Sequence, residues 1–115
     1  MARNMSFMLT TPQVKDETKD VTRRLGWWGL KRGEVVCAIE KGQGLKKGER
    51  VKRLKMIRIV AVRVEQLKTI TATEVRREGF PSMTPAEFVA FFCEHNKCVP
   101  DVYVNRIEFQ YVGGV

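Results

Sequence analysis

Six consecutive residues, Lys19-Asp20-Val21-Thr22-Arg23-Arg24, hold the side chains of this sequence that are best suited to chemistry. They place an amine, a hydroxyl and two guanidinium groups within one short segment. A threonine hydroxyl is a weak nucleophile at neutral pH, and a neighbouring lysine can activate it if burial or nearby cations lower the lysine pKa. Arginine binds phosphate or carboxylate through a planar pair of N–H donors. The segment therefore predicts a polar site that contains a nucleophile, a base and anion-binding groups.

The local elements must position these groups. Residues 21–24 are predicted to form a strand that directs Thr22 and Arg24 to one face. Thr11-Pro12 predicts a helix start, with threonine as N-cap and proline at N1, and this helix should run to about residue 18. The end of the helix would then deliver Lys19 at the bend into the strand. Thr22, Arg24 and Lys19 are expected to share a cleft.

Hydrophobic periodicity and turn residues predict the remaining elements. The sequence Thr84-Pro85-Ala86-Glu87 is the clearest signal, because threonine at N-cap and glutamate at N3 form a capping box. Phe88, Phe91, Phe92 and His95 follow at helical spacing and are predicted to be a buried stripe. Further strands are predicted at residues 6–9, 35–40, 54–65 and 102–112, a further helix at 71–78, and a frayed end at 113–115.

These elements predict one α+β domain spanning residues 1–115. It would be a small mixed or antiparallel β-barrel of about five strands with about three helices. An OB-type barrel is the structural alternative. At 115 residues the chain is long enough to form a hydrophobic core that needs no disulfides or bound metals to stabilise it.

Composition limits the possible classes of protein. No run of about 18 apolar residues is present, so no membrane span is expected, and the lack of a signal-peptide pattern predicts a cytoplasmic protein. The three cysteines form an odd number, which favours free thiols. The stretch from Cys93 to Cys98 includes His95 but lacks four zinc ligands at a recognised spacing, so we predict no metal site. No phosphate-binding loop or dinucleotide fingerprint is present, and no cofactor is expected.

The positive charge is concentrated in one segment. Residues 41–58 contain eight basic residues and one acidic residue, a net charge of +7 out of +8 for the chain. Glycines at positions 42, 44 and 48 predict that much of this segment is a loop. Clustered charge of this kind indicates contact with phosphate groups, most readily those of RNA or DNA. A solvated loop that keeps the protein soluble is the alternative reading.

Several motifs together resemble those of the ASCH domain family. They are Lys-x-x-Thr-x-Arg after a short helix (residues 19–24), an aromatic residue, a Lys-x-Gly-Glu turn (31–34) and Glu78-Gly79-Phe80. The resemblance covers roughly residues 5–112 and extends to the short, single-domain ASCH proteins of phages and bacteria. It implies a PUA-like fold.

The resemblance also implies roles for individual residues. It places Lys19, Thr22 and Glu78 on the positions used by ASCH amidohydrolases that remove the acetyl group from acetylated cytidine. There the threonine is the nucleophile, the lysine activates it and the glutamate assists proton transfer. Arg24 matches the arginine of the family motif and would bind a phosphate or a base carbonyl. Glu17 stands where the family often has glycine, which is expected to place an acid near the pocket mouth.

Alternatives stay open for each of these residues. The alternative for the trio is that Lys19 and Glu78 form a structural ion pair while Thr22 caps a helix or bonds the backbone. One of Trp27 and Trp28 is expected in the core, and the other is a candidate for stacking on a base. The family is also linked to ribonuclease activity and to RNA binding in coactivator proteins.

The predicted function is recognition of RNA or a modified nucleoside, with DNA as an open alternative. One nucleobase would enter the cleft while the basic segment holds the phosphate backbone. The protein would be a hydrolase, acting on an acylated cytosine or on RNA, or else a non-catalytic RNA-binding module. The predicted binding residues are Arg23, Arg24, Trp27, Trp28, Lys41, Lys46, Lys47, Arg50, Lys52 and Arg53.

Overall fold

The computed structural model describes residues 2–113, which form one five-stranded sheet, three α-helices and two short 3-10 turns. The part of the predicted frayed end at residues 114 and 115 lies outside this range. The strands are β1 (Arg3–Ser6), β2 (Val21–Arg24), β3 (Val35–Ile39), β4 (Arg53–Gln66) and β5 (Tyr103–Gly113). The helices are α1 (Thr11–Lys15), α2 (Ala72–Arg77) and α3 (Pro85–Asn96), and the 3-10 turns are Met8–Thr10 and Leu67–Thr69.

The sheet has the strand order β1-β3-β4-β5-β2 and curls into a half-barrel. β1 runs parallel to β3, and the other neighbouring strands are antiparallel. The pairing register of β4 with β5 shifts near Met56 and again between Ile59 and Ala61. Such irregularities bend a long strand and increase its twist. The predicted α+β class, with about five strands and three helices, is confirmed.

Two hydrophobic clusters hold the fold together. The first cluster lies against the curled sheet, where β3 contributes Val36 and Ala38 and β4 contributes Ile57 and Ile59. β3 is buried on both faces, since Cys37 and Ile39 are also inaccessible, as predicted for a strand inside a sheet. The second cluster lies beneath α3 and contains Leu67, Ile70, Val75, Phe88, Phe92 and Val104.

The start of the chain differs from the prediction. The first strand occupies Arg3–Ser6 rather than residues 6–9, because Met5 and Phe7 are the residues that enter the core. Met8 and Leu9 instead belong to a 3-10 turn and are exposed. Helix α1 then has only five residues and its N-cap is Thr10.

The other two helices begin as predicted. Thr71 Oγ1 accepts a hydrogen bond from the Glu74 amide at the start of α2. The capping box of α3 is complete: Thr84 Oγ1 accepts from Glu87 N at 3.1 Å, and Glu87 Oε1 accepts from Thr84 N at 2.8 Å. Within residues 2–113, no helix combines the length and apolar character needed to cross a membrane.

Candidate functional site

A cavity of about 230 Å³ lies between β2, the turn after β1, the end of α2 and helix α3. Lys19, Thr22 and Glu78 all border it, although Lys19 and Glu78 are 59 residues apart in the chain. The fold therefore brings the amine, the hydroxyl and the carboxylate to one open space.

Lys19 and Glu78 form a buried ion pair in the wall of the cavity. Lys19 Nζ donates to Glu78 Oε1 and to the Glu78 main-chain carbonyl, both at 2.8 Å. The two side chains are only 3% and 4% exposed. Burial lowers the pKa of Lys19; Glu78 opposes this effect, and the positive charges of Arg24 and Arg23 add to it. The amine is therefore easier to deprotonate than an ordinary surface lysine.

Thr22 is buried beside this pair, and its hydroxyl is oriented by Arg24. Arg24 Nε donates to Thr22 Oγ1 at 3.0 Å, which leaves the hydroxyl proton free for another acceptor. In the part of the chain that the structure describes, no hydrogen bond joins Lys19 Nζ to Thr22 Oγ1. The two groups border the same cavity without direct bonding.

Arg24 is the cation of the site that is best placed to meet a ligand. Its guanidinium lies over the ring of Phe7, 4.7 Å from the ring centroid. No carboxylate among residues 2–113 lies within ion-pair distance of it. Burial lowers the pKa of Arg24 to about 10, so an anion or a carbonyl oxygen in the cavity would satisfy a charge that lacks a partner.

Arg23 points the other way and is committed to carboxylates. It donates to Glu78 Oε2 at 3.1 Å, Glu74 Oε1 at 2.9 Å and Glu65 Oε2 at 3.4 Å. Its side chain is fully buried, although the residue borders the cavity. Arg23 Nε is buried without a hydrogen-bond partner among the described residues, whereas both terminal nitrogens donate to carboxylates. The contacts of Arg23 therefore support a role in holding Glu78 rather than the predicted ligand-binding role.

Hydrogen bonds of Gln13 with Gly79 and with Lys19 hold the Lys19–Glu78 ion pair in place. Gln13 Nε2 donates to the Gly79 carbonyl at 3.1 Å, and the Gln13 carbonyl accepts from Lys19 N at 3.4 Å. Gly79 has a φ of +101°, and a Cβ there would lie 2.8 Å from Gln13 Cγ. Glycine is therefore required directly after Glu78. Nothing in the sequence around Gln13 signalled this role.

Helix α3 contributes aromatic side chains to the wall of the cavity. Phe88 and Phe92 are buried as predicted, but Phe91 is only half-buried and His95 is exposed. All four border the cavity, together with Phe80. In the predicted stripe, Phe88 and Phe92 therefore belong to the core, whereas Phe91 and His95 line the cavity at its more exposed side. Helical spacing alone does not distinguish these two environments.

The tryptophans lie outside the cavity. Trp27 is half-buried against the first hydrophobic cluster, with the Arg3 guanidinium 4.8 Å from its ring centroid. Trp28 is 57% exposed. Neither residue borders the cavity, so the predicted stacking of a base on one of them is not supported there. Phe91 and His95 occupy the cavity wall instead.

The basic segment forms the loop from β3 to β4 and the first half of β4. Salt bridges partly compensate it, through Lys41 with Glu49 at 3.9 Å, Lys52 with Glu40 at 3.6 Å and Lys55 with Glu17 at 2.9 Å. The predicted binding residues Lys46, Lys47, Arg50 and Arg53 are exposed and have no acidic partner within the described range. These four keep their full charge for solvent or a ligand.

Glu17 does not place an acid at the cavity. Its carboxylate pairs with Lys55, and the residue does not border the cavity. Its φ is 61°, in the left-handed region that favours glycine. This conformation gives a physical reason for the glycine that the family often has at this position.

The cysteines form no metal centre. Cys93 Sγ and Cys98 Sγ are 3.8 Å apart, and Cys37 is buried in the sheet. Within residues 2–113, no group of three or more His, Cys, Asp or Glu side chains is arranged to hold an ion.

Structural comparison identifies the fold. One similar solved structure is the ASCH domain from Lactobacillus crispatus JV V101, with a TM-score of 0.68 and 15% identity over 96% of this chain and 79% of that chain. Another is a protein from Enterococcus faecalis V583 described by the family model DUF984, with a TM-score of 0.70 and 15% identity over 100% and 82% of the two chains. No protein-family model and no curated protein matches the sequence. The chain has the fold of an ASCH domain, which confirms the resemblance at the level of the fold.

Proposed function

We propose that this protein binds a single nucleobase in the cavity and hydrolyses an acyl amide on it, as on an acetylated cytosine. The observation that carries the proposal is the convergence of Lys19, Thr22 and Glu78 on one open cavity. Drug-sized ligands occupy pockets of about 300–1,000 Å³, so a cavity of about 230 Å³ suits a smaller group such as one base. The cavity combines these polar groups with aromatic side chains, which suits a flat heterocycle with a hydrogen-bonding edge.

In the proposed reaction, Thr22 Oγ attacks the carbonyl carbon of the amide. Neutral Lys19 takes the hydroxyl proton and then gives it to the nitrogen of the breaking C–N bond, so that the free amine leaves. Water next attacks the acyl-threonine ester, and a carboxylic acid is released. Arg24 would donate to the oxygen that becomes negative during each attack.

Glu78 would set the balance between the charged and the neutral lysine. In the resting pair the carboxylate favours the ammonium form, while burial favours the neutral amine. A ligand that excludes water from the cavity would strengthen both effects. Lys19 Nζ and Thr22 Oγ1 share no direct hydrogen bond, and catalytic hydrogen bonds often tighten only when substrate binds.

A binding module without catalysis is the second candidate. It is favoured by the commitment of Lys19 Nζ to two Glu78 oxygens at 2.8 Å, as in a structural ion pair. Such a module would bind RNA with a strong dependence on salt and would return the modified base unchanged.

The test is to incubate the protein with acetylated cytidine and measure cytidine by mass. We expect turnover that falls at least about 100-fold for Lys19→Met and to background for Thr22→Val. Lys15→Met and Thr73→Val, which change exposed residues outside the cavity, should leave turnover unchanged. RNA binding without any turnover by the parent protein would favour the binding module.

The pH profile adds a second readout. The neutral amine is the base, so turnover should rise with pH and level off below the ordinary lysine pKa of 10.5. Glu78 raises the pKa of Lys19, so any activity left in Glu78→Gln should level off at a lower pH than in the parent. A profile that does not respond to this substitution would contradict the role of Lys19.

A further inference from the structure

We propose that the exposed turn Met8-Leu9 binds the base next to the one in the cavity, so that the natural ligand is a nucleic-acid strand rather than a free nucleoside. This inference rests on the proposed function and specifies its substrate. It comes from two apolar side chains that the rest of the fold does not use.

Met8 and Leu9 are 60% and 46% exposed, yet the turn that carries them is fixed at both ends. Phe7 is buried and its amide donates to the Ile39 carbonyl at 2.8 Å. The Phe7 carbonyl accepts from Thr10 N at 3.0 Å and from Thr11 Oγ1 at 3.0 Å. Two large apolar groups are therefore held toward solvent on an anchored backbone, an arrangement that lowers the entropy lost when a ligand covers them.

The turn borders the cavity and directly follows a residue that is bonded to the strand end before the basic segment. Met8 and Leu9 border the cavity, as does Ser6. Ser6 Oγ donates to the Glu40 carbonyl at 3.2 Å, and Glu40 N donates to the Lys52 carbonyl at 2.9 Å. These bonds connect the start of the basic segment to the strand that leads into the turn. A strand whose phosphates bind the basic segment could thus extend to the cavity and place a base there.

The chemistry of the turn suits an unstacked base. Apolar side chains such as leucine and methionine take the place of a stacking partner when a base leaves its neighbours. A free nucleoside has no second base, and its sugar would leave both side chains in water. A strand would cover them and would also reach Lys46, Lys47 and Arg50. Charge complementarity therefore favours a polyanion over an apolar peptide.

The experiment compares two ligands on the Thr22→Val background, where no turnover is expected. The ligands are acetylated cytidine and a fluorescent five-nucleotide strand with that base at its centre, in matched RNA and DNA forms. Because burial of a leucine or methionine side chain contributes about 1.5–3 kcal/mol, Met8→Ser/Leu9→Ser should lower the ratio of strand affinity to nucleoside affinity by roughly 10- to 150-fold. Val99→Ser removes an apolar side chain that is 63% exposed elsewhere and should leave the ratio unchanged.

Each outcome is decisive. A selective loss of strand binding in the double variant supports the inference, and the RNA and DNA forms identify the kind of strand. Equal losses for both ligands, or no loss, overturn it. If the protein binds the nucleoside but binds the strand no better, the inference fails while the proposed function stands. If it binds neither ligand, both fail.

Discussion

Two groups of polar side chains meet at Arg23, and they differ in how many carboxylate partners their guanidinium groups have. In the first, the Glu74 cluster, each carboxylate oxygen of Glu74 accepts from two guanidinium groups, contributed by Arg23, Arg77 and Arg106. The second group, the cavity cluster, consists of Lys19, Thr22, Arg24 and Glu78. Its Arg24 has no carboxylate partner within the described residues, and all four members border the open cavity.

The difference separates structure from function. The Glu74 cluster joins α2 to β2 and β5, and its bonds lower the pKa of Glu74 to about 2, first through Arg106. A network of ion pairs of this kind can stabilise the fold, and of its buried side-chain atoms in the described range only Arg23 Nε lacks a hydrogen-bond partner. The cavity cluster instead keeps a buried amine with a lowered pKa and a guanidinium that has no carboxylate partner among residues 2–113. Perturbed groups beside a cavity are typical of functional sites.

The largest expected effect comes from Glu74→Gln. The loss of the carboxylate leaves Arg23 with Glu78 and Glu65, and Arg106 with Glu108, as their remaining counter-charges. The free energy of unfolding should therefore fall by about 3 kcal/mol, the low end of the range for breaking a buried ion pair. Urea denaturation measures this change in the free energy of unfolding. Glu94→Gln, on the exposed side of α3, should change stability by less than about 0.5 kcal/mol. Similar values for the two variants would remove the distinction between the clusters.

Acid should weaken the Glu74 cluster in a defined pH window. The folded pKa of Glu74 is about 2, below its ordinary value of 4.5. The stabilisation is therefore complete above pH 4.5 and is lost as the pH falls toward 2, by about 3 kcal/mol at roughly 1.4 kcal/mol per pKa unit. Urea midpoints between pH 5 and pH 2 should converge for the parent and Glu74→Gln. A constant difference between them would contradict the assignment.

Arg24→Met should produce the opposite pattern. Stability should change by less than about 1 kcal/mol, because no carboxylate loses its partner. Nucleoside affinity should fall roughly 10- to 150-fold, the effect of a lost hydrogen bond to a charged group. Isothermal titration with Arg76→Met as the control checks this. A variant that unfolds readily yet binds normally would place Arg24 with the structural residues.

The smallest effect is expected from the exposed loop. Lys46→Gln and Lys47→Gln should leave stability within about 0.5 kcal/mol. For RNA binding, each lost phosphate contact should reduce the salt slope of log affinity by about 0.7 on a single strand. Binding titrations across several salt concentrations measure the slope. An unchanged slope in the double variant would show that the loop does not contact the strand.

Local patterns predicted much of this fold. The capping box at Thr84 and the apolar run of the predicted strand 35–40 specify local backbone structure, and both elements appear where predicted. The prediction for the start of the chain was wrong because residues 7–9 are all apolar, and periodicity could not decide which of them enter the core. Only the pairing of β1 with β3 resolves it.

The site was predicted unevenly. The resemblance brought Lys19, Thr22 and Glu78 together, whereas composition alone could not join residues so distant in the chain. The aromatic part of the cavity wall was missed because a helix shows the same spacing whether its apolar face meets core or cavity. Arg23 pairs with carboxylates and Arg24 does not, because Glu74 and Glu65 lie beside Arg23 in the folded chain. The sequence alone does not show where these two carboxylates lie.

The most direct test of the account is an NMR titration of the ¹⁵N-labelled protein with acetylated cytidine, on the Thr22→Val background. We predict that the amide signals of Arg24, Glu78 and Phe91 shift together with a single affinity, and that Arg24→Met abolishes the shifts at the same ligand concentration. Shifts confined to other parts of the chain, or none at millimolar ligand, would contradict the claim that the cavity cluster is the binding site.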